Sequence, residues 1–258
     1  MPTLLIDHSP RVGSTGLLGQ TLREYGHRIN VVRVAPAGNA AGSGADALPS
    51  DLDDVDAIVL SDGPQTLASN PPAFVAAESA LIKAAHARQM PILGLGFGAR
   101  LLATALGGEV AAQPDAGWLE LKLTFPGRED PLYKGVPWTS TACFCQAEAI
   151  TKLPEGATPF AHAGQPGTKP NVRAFAAGVF AFGVEHLFGL TDETFDHLLA
   201  SQGDLLGRVP GGADSLRNGW REYGQTSMRI GQRIAESIAL YLMPVDRMSA
   251  GRVKDLHY

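Results

Sequence analysis

The stretch PILGLGFGARLLATALGG, residues 91–108, ends an apolar run in Gly-x-Gly-x-Gly and continues into small and apolar residues. Strand, sharp turn and helix in that order make a nucleophile elbow, where small neighbours let the chain turn tightly and push one side chain into a site. The tip of this elbow is Gly96, which has no side chain to present. Other groups could carry chemistry: Cys143 and Cys145, Glu148, and the neighbours Glu185 and His186. A thiol acts as a nucleophile only with a base beside it or a lowered pKa. Cys145 would need Glu148 or His186 for that; its bland reading is a buried structural thiol. Cys143 and Cys145 stand at i and i+2 on one face of a strand and lack the further donors of a zinc site, so no metal is expected. His8, His27, His86, His162, His197 and His257 show no ligand spacing. Arg100, one turn past the elbow, offers a different chemistry. Helix-start N–H groups favour anions, and a guanidinium can grip a carboxylate with two bonds.

The elements that must position these groups alternate. TLLID, HRINVVRV, VDAIVLSDGP and PILGL read as strands over 3–7, 28–34, 56–61 and 91–95; helices are expected over 16–26, 72–90 and 98–107. This order predicts an α/β fold around a mostly parallel sheet with helices on both faces. Sites in such sheets form beyond the carboxyl ends of the strands, here the loops 61–64 and 94–98. From Trp118 the texture changes to short strands (WLELKLTF, STACFCQAEAI, TPFAHA, NVRAFAAG, VFAFGVE), a smaller antiparallel or mixed section. A helix begins at Thr191 with Asp192 and Glu193 in its first turn, and one or two amphipathic helices close the chain. A single domain is expected over residues 1–245, with a tail at 246–258.

The bulk numbers exclude several classes. With 258 residues, 45% hydrophobic and 18% charged, the chain reads as globular. A net charge of -5 and no basic run leave nucleic acid without an electrostatic footprint. No apolar run reaches the roughly 18 residues of a membrane helix. MPTLLIDHSP lacks the marks of a signal peptide, and two closely spaced cysteines suit a reducing cytoplasm.

Residues from about 50 to 200 resemble the class I glutamine amidotransferases, especially stand-alone proteins similar to the glutaminase domain of GMP synthetase. The family's elbow, roughly P-V-L-G-I-C-x-G-x-Q-L-L-A-x-A-L-G-G-x-V, is matched from Pro91 to Val110. Its L-G-G-P loop falls on Leu60-Ser61-Asp62-Gly63-Pro64 and its A-E-x-A-L-I helix on Ala77 to Ile82. Its G-W falls on Gly117-Trp118 and its L-P-x-G-A on Leu153 to Ala157. Its G-x-Q-F-H-x-E stretch falls on Gly183 to Gly189, with Thr191-Asp192-Glu193 beyond. The resemblance implies the family's flavodoxin-like fold and no cofactor.

It also implies a Cys-His-Glu triad, and there the sequence departs. The Cys position is Gly96, and in ungapped register the His position is Leu187 and the Glu position Gly189. The elbow's Gln is Arg100, and the family's W-H-G-D becomes Cys145-Gln146-Ala147-Glu148. A one-residue shift would put His186 at the His position; alternation along a strand then decides which of His186 and Leu187 faces the pocket. The expectation is a catalytically degenerate protein, not a glutaminase, that binds a small ligand or serves a partner enzyme as a subunit or regulator. The alternative is an enzyme using the same pocket with His186, Cys145, Glu148 or Glu185 as replacement groups. The oxyanion-stabilising N–H groups belong to the backbone and survive loss of the triad. A small anion or carboxylate is therefore expected against Gly63, Phe97, Gly98 and Arg100. The sequence leaves the oligomeric state open.

Overall fold

The computed structural model describes residues 2–9, 16–34, 48–164, 167, 168 and 170–242. The 246–258 tail and most of the small-residue loop after the second strand lie outside the described residues. In chain order the elements are β1 (Thr3–Asp7), α1 (Gly16–Glu24), β2 (Ile29–Arg33), β3 (Ala57–Leu60), α2 (Val75–Ala87), β4 (Ile92–Leu95) and α3 (Phe97–Ala105). There follow β5 (Glu109–Leu123), α4 (Phe125–Glu129), β6 (Thr139–Lys152), β7 (Thr158–Ala163), β8 (Asn171–Ala177) and β9 (Ala181–Val184). The chain closes with α5 (Asp192–Ser201), α6 (Gly203–Leu206) and α7 (Gly212–Ser237), which runs on into a π-helical turn, Ile238–Leu242.

All nine strands form one sheet in the order β2-β1-β3-β4-β9-β8-β7-β5-β6. The pairs from β2 to β9 are parallel, as the βα alternation requires. Beyond β9 the pairings turn antiparallel. Alternation along the strands splits the core in two. Leu5, Val59, Leu93 and Phe182 pack with Leu18, Leu22 and Ile234 from α1 and α7. Leu4, Ile58, Leu60 and Ile92 pack with Ile82, Leu101 and Leu102 from α2 and α3.

One local feature differs from the sequence reading. The strand expected from Trp118 starts at Glu109 and runs the length of β6 as a long hairpin. Its first half is exposed and holds Pro114, which sits where the register slips between Ala112 and Asp115. A strand tolerates proline at such an irregularity because no ladder donor is needed there. Of the one or two closing helices expected, the described residues form one, α7, packed on α1. Thr191 caps α5 as expected: its side chain accepts from the Thr194 N–H, and Thr194 Oγ1 accepts from the Thr191 N–H at 2.7 Å.

Candidate functional site

The elbow is built as its glycines require. Gly96 is the N-cap of α3 with φ 51° and ψ -111°, a conformation that favours a residue without Cβ. A Cβ at Gly98 would strike the backbone of Leu60, so α3 lies directly on β3. The turn is anchored by the Gly96 N–H donating to the Val184 carbonyl at 2.8 Å.

The tip is not empty. Asp62, in the loop after β3, places its carboxylate where a side chain from Gly96 would project; a Cβ at Gly96 would overlap it. Asp62 Oδ1 accepts from the Gly63 N–H at 2.8 Å and from the Phe97 N–H at 2.7 Å. Those are the donors an oxyanion would use at such an elbow. The anion expected from the sequence against Gly63 and Phe97 is, in the structure, the chain's own Asp62. Gly98 spends its N–H on the Ser61 carbonyl at 3.2 Å. Arg100 is buried, 3% exposed, and its Nη1 stands 3.5 Å from Glu185 Oε1.

Behind the elbow, Arg100 belongs to a buried ionic cluster. Arg173 pairs with Asp115, approaches Glu185 at 3.8 Å and stacks 4.7 Å over the Phe144 ring. Burial raises the Glu185 carboxyl pKa; Arg100 and Arg173 oppose that shift, and the charge of Asp62 adds to it. The cluster is incompletely bonded. Arg100 Nε, Arg173 Nε and Nη1, Glu185 Oε2 and both polar atoms of Gln146 are buried without a hydrogen-bond partner among the described residues. Glu185 is thus a structural counter-ion and is not placed as a free base.

The remaining sequence candidates separate. Leu187 lines the cavity beside Asp62. Its N–H is held by the Cys143 carbonyl at 2.9 Å. His186 faces elsewhere: its Nε2 lies 2.9 Å from the Tyr133 hydroxyl, and burial with the Arg173 charge pushes its pKa down to about 4. Gly189 has φ 73°, and a Cβ there would press on Leu17. A Cβ at Gly231 of α7 would strike the Gly189 N–H. Cys143 and Cys145 are free and buried. Burial, then the Asp62 charge, pushes the Cys145 thiol up to about 12; burial and the neighbouring Cys145 raise Cys143 further. Glu148 is occupied, its two oxygens accepting from the Leu67 and Ala68 N–H groups at 2.8 Å each. Among the described residues no group of three His, Cys, Asp or Glu side chains could hold a metal ion, and no helix is long and apolar enough to cross a membrane.

Sequence reasoning missed the Arg173–Asp115 pair of the buried cluster, and Asp62 and His8 at the elbow. Asp62 had a weak signal: it is a carboxylate in the 61–64 loop, one of the two loops expected to form the site. His8 had none. It is fully buried between α2 and the Asp62 loop, Nε2 2.9 Å from Glu78 and Nδ1 2.8 Å from the Ser61 carbonyl. Its own N–H donates to Ser61 Oγ at 2.8 Å, so it braces the loop that carries Asp62.

Beside the elbow, at the carboxyl ends of β1, β3 and β4, lies a cavity of about 330 Å³. It is walled by these strands, the start of α1, the 187–190 segment and α5.

Comparison with known proteins fits this geometry. The family described as glutamine amidotransferase class-I matches residues 11–174. A curated GMP synthase [glutamine-hydrolyzing] of Lactobacillus delbrueckii subsp. bulgaricus is 33% identical over 67 residues, 26% of this chain and 13% of that protein. The chain therefore matches only a small part of that relative. A glutamine amidotransferase from Thermotoga maritima superposes with a TM-score of 0.72 at 18% identity, over 93% of this chain and 98% of the other. One from Methylobacillus flagellatus gives 0.70 at 18% identity, over 92% of each. At these identities the structures speak for the fold alone.

Proposed function

The chain belongs to the class I glutamine amidotransferase family, and from that premise we propose that it is a catalytically degenerate member, a small-ligand-binding or partner subunit and not a glutaminase. One observation carries the reading. The Asp62 carboxylate occupies the space of the missing nucleophile and accepts from the two N–H groups that would hold the oxyanion. Amide hydrolysis by this route needs a thiolate, a base and those donors together. Gly96 supplies no thiol, Leu187 no base, and Gly189 no carboxylate to orient one. The partner role draws on likeness to part of a GMP synthase, and the cytoplasmic setting on two free, buried thiols.

The test is ammonia release from glutamine by the purified chain. The expected rate is background, for the native chain and for Gly96→Cys alone. Release by the native chain, abolished by a point change in the pocket, overturns the reading. An enzyme with a replacement group remains the second reading, and Asp62 is the group that favours it, since its carboxylate stands nearest the elbow tip. Turnover of any amide or ester, lost in Asp62→Asn, would support it.

A further inference from the structure

We propose that the cavity beside the elbow takes a small organic cation, an ammonium or amidinium head on an apolar body. The inference deepens the ligand-binding reading above and rests on it. At about 330 Å³ the cavity falls at the lower end of the range of small-molecule sites. Its body is apolar: Leu5, Leu17, Val59, Leu95, Leu187 and Leu198 supply walls that a charged group cannot satisfy but a hydrocarbon can.

The head is decided by charge. The lining includes two carboxylates, Asp62 and Glu193, one histidine, His197, and no Lys or Arg among the described residues. Asp62 is already committed on one side. Its Oδ1 accepts from the Gly63 and Phe97 N–H groups, so the donors that would have drawn an anion here are engaged by a fixed negative charge. No described residue donates a hydrogen bond to its Oδ2. A ligand carboxylate entering would find no free donor at the elbow and a like charge within reach. A ligand ammonium would find an acceptor already held in place by two backbone bonds, and charge-assisted bonds of that kind are the stronger ones. An Asp in the loop, facing Gly96, therefore reverses the charge preference of an elbow otherwise suited to anions.

The test is calorimetric titration of the full chain with three probes of equal length, n-butylamine, n-butanol and butyrate, at neutral pH. The amine should bind at least tenfold more tightly than butyrate, with butanol between them. Asp62→Asn keeps an oxygen for the two N–H donors and should erase the advantage of amine over alcohol. Asp62→Gly frees the donors and should shift the preference towards butyrate. Should Asp62→Gly fail to fold, Glu193→Gln, on the exposed first turn of α5, serves as the second variant and should weaken the amine severalfold. Equal binding of all three probes, tighter binding of butyrate by the native chain, or no binding at all overturns the proposal. Ammonia release from glutamine with the amine preference intact would instead sink the non-glutaminase reading and leave the cation pocket standing.

Discussion

Placing a methyl group at the elbow tip, Gly96→Ala, puts two quantities in play. At φ 51° and ψ -111° an alanine is strained, at about 1–3 kcal/mol for a residue held in such a region. Its Cβ would also overlap the Asp62 carboxylate, which must leave the Gly63 and Phe97 N–H groups. A hydrogen bond to a charged group is worth about 1.5–3 kcal/mol. Asp62 is only half-buried and regains water when it swings out, so the pair is taken at about 1–2 kcal/mol in all. The sum, roughly 2–5 kcal/mol, lowers the melting temperature by roughly 4–20 °C for a chain of this size. The same substitution made in an Asp62→Gly background should retain only the backbone part. The double-mutant cycle should therefore show a coupling of about 1–2 kcal/mol. Urea or thermal unfolding of the four proteins measures it. Equal costs of Gly96→Ala in the two backgrounds would refute the claim that Asp62 occupies the tip.

Three further outcomes follow from the same cluster. The His186 ring binds a proton near 6.5 when unfolded and near 4 when folded, so stability falls as pH drops through that window, by on the order of 3 kcal/mol. Glu185, raised by burial, works with the opposite sign; the readout is therefore wild type against His186→Gln, whose urea midpoint should depend less on acid, and matching pH profiles would contradict the assignment. Cys143 and Cys145 should not react with a thiol reagent at pH 8 until the chain unfolds, since burial raises both thiols; rapid labelling of folded protein would show an activated cysteine. Glu148→Gln turns an amide NH₂ against one of two backbone donors, at a cost of about 1.5–3 kcal/mol; the Leu67 and Ala68 amides should then exchange with solvent faster, and unchanged exchange would rule out the clamp.

The α/β core was legible because its signals are local. Ile58, Leu60 and Ile92 declare buried strands, and Thr191 with Thr194 declares a helix start. The first half of β5 was not, because AAQPD is polar, exposed and broken by proline; only its pairing with β6 makes it a strand. At the site, the glycine elbow could be read residue by residue. The groups that decide its chemistry came from far along the chain. Asp62 meets Gly96 across 34 positions, His8 meets Glu78 across 70, and Arg173 meets Asp115 across 58. Arg100 read as an anion receptor because its start-of-helix position is local information, while its partner Glu185 lies 85 residues on.

The packing of α7 on the segment after β9 bears on which neighbouring sequences this chain can reach. At the positions the family resemblance assigns to it, a Cys-His-Glu triad would need changes at 96, 187 and 189. Two of these sites are glycines at positive φ whose outward space belongs to Asp62 and Leu17, and Gly231 lies against the second from behind. A Cys at 96 first would displace Asp62 with no base to use the thiol; a Glu at 189 first would strain its backbone and push on α1 with no histidine to orient. Each single step loses stability and, on the function proposed above, gains no turnover. A workable order begins outside the triad, by clearing position 62 and then Leu17, before any catalytic residue is introduced. A random library drawn over the triad positions alone should therefore return poorly folded clones; one that also varies positions 17 and 62 gives a thiol room to stand.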